Sequence, residues 1–442
     1  MSITAQKINT EAAIALQARQ QLREVKKDIH RDLLGRIDLE ILDQLSADQV
    51  GDQIASVVRK LMDEKSVRLN SKERDEVIRQ IQDEVLGLGP IEPLIADETV
   101  SDILVNTWRR VYVERSGRLE LTDVQFQNDA HLMRVIDKIA TAVGRRIDES
   151  TPMVDARLAD GSRVHVIIPP ASVDGPILSI RKFSTDPFKM SDLIGLKTLT
   201  PPMAEFIEAC VQAKVNLLVS GGTGSGKTTL LNALSGFIPA NERVVTIEDS
   251  AELQLQRSHV VRLETRPPNI EQEGEITSRD LVRNSLRMRP DRIIIGEVRG
   301  GEALDMLQAM NTGHDGSMTT IHANSPRDAL TRLEHMVGMS GISIPALVVR
   351  QQIAAALDIL IDVERLIDGR RVITSIQEIT GMEEHVVEIQ EIFSFEKRTV
   401  DEKGNVAGAF RPSGIRPQVI KRISEYGINL SADIFDPNKI YE

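Results

Sequence analysis

Between residues 10 and about 84, apolar residues recur three and four positions apart among Glu, Lys, Arg and Gln, as in Val57, Val58 and Leu61 or Val77, Ile78 and Ile81. That spacing puts them on one face of an α-helix, and several helices are predicted there. Ser46 with Gln49, and Asn70 with Glu73, have the spacing of capping boxes that would open two of them. Gly87, Gly89 and Pro90 end the helical pattern. The chain then turns to short β-type runs at 103–105, 111–114, 164–168 and 177–181, with one helix at about 130–143 between them. These read as a small α+β domain over 85–185. Residues 186–202, holding Pro187, Gly195 and the Pro201-Pro202 pair, read as a linker.

Beyond residue 203 the rhythm becomes apolar run, turn, helix. Residues 215–220 are apolar, 227–234 helical, 244–247 apolar, 281–286 helical and 293–295 apolar again. Such alternation predicts an α/β fold, a mostly parallel sheet covered by helices with ligands at the carboxyl ends of its strands. Helical segments at 326–339 and 345–358 follow, then β-like runs near 359–366, 371–378 and 386–395. The chain shows no internal repeat and no low-complexity segment.

Composition narrows the class. At 442 residues, 41% hydrophobic and 27% charged, the chain has the length for about three domains and the balance of an ordinary globular protein. Its 54 basic and 66 acidic residues leave a net charge of −12, which sets the molecule as a whole against phosphate backbones and anionic lipid. Aromatic residues are only 3%, too few for a platform of stacked bases. Direct nucleic-acid binding is therefore not expected. The one cysteine, Cys210, can form neither an internal disulfide nor a four-cysteine zinc site, and the cytosol is the expected compartment. Residues 1–19 lack the apolar core of a secretion signal, and no run approaches eighteen apolar residues. No direct membrane insertion is expected, and work at a membrane would depend on partners.

The most specific chemistry lies after the 215–220 run. Gly221, Gly222, Thr223, Gly224, Ser225, Gly226, Lys227 and Thr228, with Thr229 next, fit G-x-x-x-x-G-K-[ST] at the head of the 227–234 helical run. Glycines allow the backbone angles that turn successive N–H groups inward as an anion nest, and the helix that follows points its positive end at the phosphates. Lys227 would bridge the β- and γ-phosphates of ATP, and Thr228 would hold Mg²⁺. The plain alternative is a Gly-rich turn without a ligand.

Hydrolysis also needs an oriented water and a held metal, so carboxylates are sought at later strand ends. Residues 244–249 end in Glu248 and Asp249, with Glu252 close behind. Residues 291–297 form a second apolar run ending in Glu297, with Gly296 where an Asp is common, so Glu297 would act on Mg²⁺ through water. For either acid the bland reading is a solvated strand end or an ion pair, for instance with Arg299. His314 and His322 then flank another β-like run. They lack companions at metal-ligand spacing, and fit better as polar sensors of the γ-phosphate, or as ordinary satisfied histidines. In the small domain, Arg157, Arg163 and Arg181 are candidates for neutralising the transferring phosphoryl group across a domain or subunit boundary, a role worth about 10³ to 10⁵ in rate. A surface ion pair, worth about 0 to 1 kcal/mol, is the alternative.

Taken in order, the P-loop, the Thr246-Ile247-Glu248-Asp249 box, the Ile295-Gly296-Glu297 strand and the Thr312-Gly313-His314 to His322-Ala323-Asn324 box resemble the type II/IV secretion ATPase superfamily. Stretches at 86–94, 100–106, 160–164, 179–183 and 289–292 most resemble its tight-adherence (Flp) pilus assembly branch, the CpaF type. The likeness spans about 80–395. It implies an N-terminal helical extension over 1–84, a small α+β domain over 85–185, the 186–202 linker, and over 203–442 a RecA-like P-loop ATPase domain with a C-terminal subdomain. It also implies a cytoplasmic homo-hexamer peripheral to the inner membrane, in which the small domain of one subunit closes on the ATP site of the next and drives pilus platform proteins. By the same analogy Glu248 activates the water, Glu297 belongs to the Mg²⁺ shell, and the small-domain arginines meet the γ-phosphate.

Other readings compete. One is a type IV secretion ATPase moving protein or nucleoprotein, and another is a nucleotide-gated scaffold without appreciable turnover. A small-molecule kinase would leave the histidine box and the long extension unexplained. A GTPase switch would want an Asn-Lys-x-Asp base reader, and the Asn438-Lys439 pair lacks the Asp.

Overall fold

The computed structural model describes residues 25, 26, 28, 29, 31–33, 36 and 47–441, apart from 68, 116, 184–187, 256, 269–272 and 403. Ser46, half of one expected capping box, lies outside them. The chain divides into two compact units, Met1–Phe183 and Ser184–Glu442.

In the first unit, helices α1 (Ala47–Glu64) and α2 (Ser71–Val85) bury the apolar stripe that the spacing predicts. Ile54, Val58 and Leu61 pack with Val77, Ile78 and Ile81, and Ile29 and Leu33 complete this core. The second capping box forms: the Asn70 side chain accepts from the Glu73 N–H at 3.0 Å, and the Glu73 carboxylate accepts from the Asn70 N–H at 2.9 Å. A short helix α3 (Glu92–Ala96) leads into six strands: β1 (Val100–Thr107), β2 (Arg110–Arg115), β3 (Arg118–Leu121), β4 (Met153–Arg157), β5 (Arg163–Ile167) and β6 (Ile177–Arg181). They pair antiparallel throughout in the order β3-β2-β1-β6-β5-β4. Helix α4 (Asp129–Ala142) covers one face, its Leu132, Val135, Ile136 and Ile139 meeting Ile103, Val105, Val164 and Ile180. Strand β3 escapes the sequence pattern because all four of its residues are exposed, leaving no alternation to detect.

Two contacts tie α2 to α4. Lys138 Nζ donates to the carbonyls of Val85, Leu86 and Gly87 at 3.0, 2.8 and 2.7 Å, closing off a helix end whose last carbonyls lack helical partners. Glu84 meets His131 Nε2 at 2.5 Å and Lys26 Nζ at 3.2 Å. His131 Nδ1 accepts from the Gln127 N–H at 3.2 Å, which leaves Nε2 as the ring nitrogen beside Glu84. Burial opposes the Glu84 charge, but the His131 hydrogen bond and the Lys26 ammonium outweigh it and hold the carboxyl down at about 2.

The second unit begins with α5 (Met190–Gly195) and α6 (Pro201–Gln212), inside and at the edge of the segment read as a linker. Thr200 caps α6, and the two prolines occupy its first turn, where a missing N–H costs nothing. Met190, Leu193 and Leu199 are buried in this unit's core. The remaining elements are β7 (Leu217–Gly221), α7 (Lys227–Ser235), β8 (Val244–Glu248), β9 (Val260–Glu264), α8 (Ser278–Ser285), β10 (Arg292–Val298), α9 (Glu302–Asn311), β11 (Met318–His322), α10 (Pro326–Gly338), α11 (Ala346–Ala356), β12 (Ile359–Arg365), β13 (Arg371–Glu383), β14 (Val386–Val400), β15 (Val406–Pro412) and α12 (Ile420–Glu425).

The sheet runs β15-β14-β13-β12-β7-β11-β10-β8-β9, parallel from β12 to β9 and antiparallel beyond. Numbered from the P-loop strand β7, the parallel core reads 6-1-5-4-2-3, the RecA-like order, with β11 interposed between β7 and the acidic strand β10. Both faces are covered. Leu217 and Val219 pack under α6 and α7, whereas Leu218, Ile247 and Ile295 pack under α9, α10 and α11. Burial on two sides is why β7 and β8 read as continuous apolar runs. At the amino end of β10, fully buried Arg292 is paired with Glu242. Among the described residues no helix is long and apolar enough to cross a membrane.

Replacing Lys138 by Met keeps its methylenes and removes its three donated bonds. The variant is expected to lose about 1 kcal/mol in urea unfolding. Faster amide exchange should be confined to the end of α2, and unchanged exchange there would show the cap to be idle.

Candidate active site

At the carboxyl end of β7 the chain turns through Gly221, Gly224 and Gly226 at φ of +152°, +68° and +98°, angles that other residues rarely adopt. A Cβ on Gly221 would collide with the Val363 carbonyl, because β12 runs directly alongside. Arg371 Nε donates to the Gly224 carbonyl at 3.1 Å, bracing the loop from the β12–β13 hairpin. Beneath the loop, buried Asp362 accepts from Ser220 Oγ at 2.6 Å and from Thr374 Oγ1 at 2.7 Å. Ser225 Oγ is buried in the loop without a hydrogen-bond partner. Lys227 opens α7, and Thr228 and Thr229 follow half-buried in its first turn.

The Lys227 ammonium turns back on its own loop. It donates to the Gly221 and Gly222 carbonyls, each at 2.9 Å, and lies 3.4 Å from His322 Nδ1. Burial lowers its pKa, with the Glu297 charge opposing. His322 ends β11 in register with Gly221, and its Nε2 lies 3.1 Å from Glu297 Oε1. Burial and then the Lys227 charge keep the imidazole below its ordinary value. A neutral ring that accepts at Nδ1 from Lys227 carries its proton on Nε2, the nitrogen that lies beside Glu297. Glu297 also accepts from Arg299 Nη2 at 2.8 Å, and Arg299 Nη1 reaches Asp249 at 3.1 Å. The P-loop lysine is thus joined to both acidic strands by a chain of charge and hydrogen bonds.

Glu248 ends β8 and is almost wholly buried. Its Oε1 accepts from the backbone N–H groups of Glu252 and Leu253 at 3.0 and 2.9 Å, while Oε2 is buried with no partner. Burial pushes its carboxyl up to about 7, against the two backbone bonds. A carboxylate poised there, one oxygen anchored and the other unengaged, has the properties of a general base.

These groups fit a nucleotide. The loop N–H groups, the start of α7 and Lys227 suit a polyphosphate, and a hydroxyl with a nearby carboxylate suits a hard cation such as Mg²⁺. Of the residues singled out in the sequence, the P-loop set, Glu248, Glu297 and His322 come together at the carboxyl ends of neighbouring strands. His314 does not join them. It precedes β11 at the other end of that strand, roughly 13 Å away by strand rise, with Nδ1 3.3 Å from the Ala309 carbonyl.

The three arginines form a row in the first unit. Arg157 pairs across strands with Arg163, Arg163 with Arg181, and Arg181 with Asp102. Arg181 Nε lies 3.2 Å from Asp102, and Arg163 lies 3.8 Å from Asp155. Like charges in direct register disfavour the sheet, and exposed ion pairs of this kind return about 0 to 1 kcal/mol each. Asp362 and Arg371 were not singled out in the sequence. The trace of Asp362 is a lone acid inside the apolar run of β12, and Arg371 leaves none.

The sheet order and this constellation define a RecA-like P-loop NTPase. The chain belongs to the type II/IV secretion system protein family, whose model matches residues 84–405. It is 34% identical over 301 residues to the conjugal transfer protein TrbB of Rhizobium radiobacter, covering 67% of this chain and 88% of that protein. It is 35% identical over 303 residues to the type IV secretion system protein PtlH of Bordetella pertussis, covering 63% and 89%. Among solved structures, the VirB11 ATPase of the Brucella suis type IV secretion system, crystallised with sulphate, is 30% identical over 65% of this chain and 95% of its own, with a TM-score of 0.37.

Because the native carboxyl of Glu248 is raised above its unfolded value, the folded state holds the proton more tightly than the unfolded one between about pH 4.5 and 7. Its contribution to stability therefore falls as pH rises through that window. Glu248→Gln is expected to gain stability over the parent at pH 8 and to differ little at pH 4, read by thermal unfolding at both. Equal behaviour at the two values would mean that Glu248 ionises normally.

Proposed function

We propose that this protein is an ATP hydrolase that powers a secretion-type assembly at the inner membrane from the cytoplasmic side. We assign it to the branch that builds tight-adherence (Flp) pili, as a homo-hexamer acting on platform proteins. The observation that carries the enzymatic reading is the convergence of Lys227, Glu248, Glu297 and His322 at the P-loop end of four parallel strands.

In this reading the triphosphate replaces the loop carbonyls as the partner of Lys227, whose ammonium then spans the β- and γ-phosphates. His322 Nδ1, released from Lys227, reports whether the γ-phosphate is in place, and the contact of Nε2 with Glu297 carries that information to β10. Glu248 Oε2 accepts the proton of the attacking water while the 252–253 backbone holds Oε1 still. Mg²⁺, held by Thr228 with Glu297 in its outer shell, would supply charge neutralisation on the phosphates when bound. Arg163 and Arg181, with Arg157 behind them, supply positive charge to the γ-phosphate bound by a neighbouring copy. That role is consistent with three like charges kept in register at a cost to the sheet.

A second reading, export of protein or nucleoprotein by a type IV system, is favoured by the likeness to the conjugal transfer protein TrbB and the type IV secretion system protein PtlH. The residue stretches at 86–94 and 160–164 favour the pilus branch. Light scattering with and without ATP, beside phosphate release, tests the motor reading common to both. A hexamer that hydrolyses ATP is expected, and a monomer without turnover would sink it. Lys227→Ala is expected to abolish phosphate release and weaken nucleotide binding. Arg181→Ala should leave binding within about threefold while slowing turnover by at least 10²-fold, below the range of 10³ to 10⁵ seen for such arginines because neighbours share the charge. A change in stability alone would leave Arg181 as an ion pair with Asp102.

A further inference from the structure

Gly296 departs from the usual acidic strand ending, and the structure supplies a physical reason. A glycine inside a strand weakens it, because its unfolded chain has more freedom to lose and it brings no side chain to pack. Backbone angle does not call for one here, since Gly296 is absent from the positive-φ positions of the chain. What the position lacks is room. A Cβ on Gly296 would lie 2.8 Å from Glu248 Cγ, 3.4 Å from its Oε1 and 3.5 Å from its Cβ. Neighbouring Ile295 and Ile247 pair in parallel register, so residues 296 and 248 follow side by side on adjacent strands. On its far side the Glu248 carboxylate is fixed by the Glu252 and Leu253 N–H groups, so it cannot swing away without breaking two hydrogen bonds. The Gly296 backbone is itself fixed, its carbonyl accepting from Thr320 Oγ1 at 2.7 Å.

We propose that Gly296 is a positioning residue for hydrolysis: by withholding a side chain from β10 it opens the space in which Glu248 of β8 lies, so that any side chain at 296 excludes the carboxylate. The strand that would ordinarily carry its own acid at this place gives it up to its neighbour. Positions 296 and 248 are then mutually exclusive, which explains why the departure at Gly296 accompanies an acid at the end of β8. The inference rests on the proposed reading of Glu248 as the base, but its packing half can be measured without that reading.

The test is a cycle of Gly296→Ala, Glu248→Ala and the double variant, in the full chain, read by thermal unfolding, binding of a fluorescent ATP analogue and phosphate release. Gly296→Ala is expected to bind the analogue within about threefold of the parent and to lose turnover by about 10²-fold or more, the range of a displaced acid–base group. Its Tm should fall, and the same substitution should leave Tm unchanged or raise it in the Glu248→Ala background, since the truncated side chain no longer collides and alanine has less freedom to lose than glycine. An equal fall of Tm in both backgrounds, or parental turnover in Gly296→Ala, overturns the proposal. If Gly296→Ala alone fails to fold, recovery of folded protein on adding Glu248→Ala supports it, and no recovery overturns it. Parental turnover in Glu248→Ala would instead remove the base assignment while the Tm cycle still reports on the packing.

Discussion

A buried ammonium needs lone pairs within reach, and Lys227 takes them from the Gly221 and Gly222 carbonyls and from His322. This arrangement ranks the groups around it. Polyphosphate offers the lysine full negative charge in place of neutral carbonyls, so phosphate is the partner able to draw it off, and the move leaves His322 and Glu297 to rearrange. The loop, the histidine and the two acidic strands are therefore coupled through one cation. The two-sided burial of β7, β8 and β10 serves the same end, because it fixes the strand termini from which these groups project.

Much of this was legible in the chain. The continuous apolar runs marked β7, β8 and β10, and the glycine pattern marked the loop between β7 and α7, because two-sided burial and positive φ both leave compositional traces. Strand β3 left none, being exposed along its length. The segment taken for a linker is partly helical, since Pro201 and Pro202 open α6 rather than break it, and only the Thr200 cap distinguishes the two cases. For the site, strand-end acids could be found one by one. What the sequence did not show was that Glu248 and Gly296 are complements, because that relation is between neighbouring strands 48 positions apart by numbering. The two histidines looked equivalent in the chain, yet a five-residue strand separates them, and only the one at its carboxyl end reaches the lysine.

The arginine row shows the same limit. Each arginine appeared alone in the sequence, with an ion pair as its ordinary explanation. Register places three of them side by side on β4, β5 and β6, and the row continues through Asp102 on β1 to Glu114 on β2.

The triple cap by Lys138 and the Glu84–His131 contact bear on how displacement would travel. Because they bind the end of α2 to α4, the helical segment has no hinge at that point and turns with the sheet it is fastened to. Helix α1, at 18 residues, is about 27 Å long. A rotation of only 10° would sweep a point that far from the pivot through about 5 Å, comparable to one helical pitch. A modest angular step at the sheet is thereby converted into a linear stroke at the outer helices, large enough to shift one packed surface past another by a full turn.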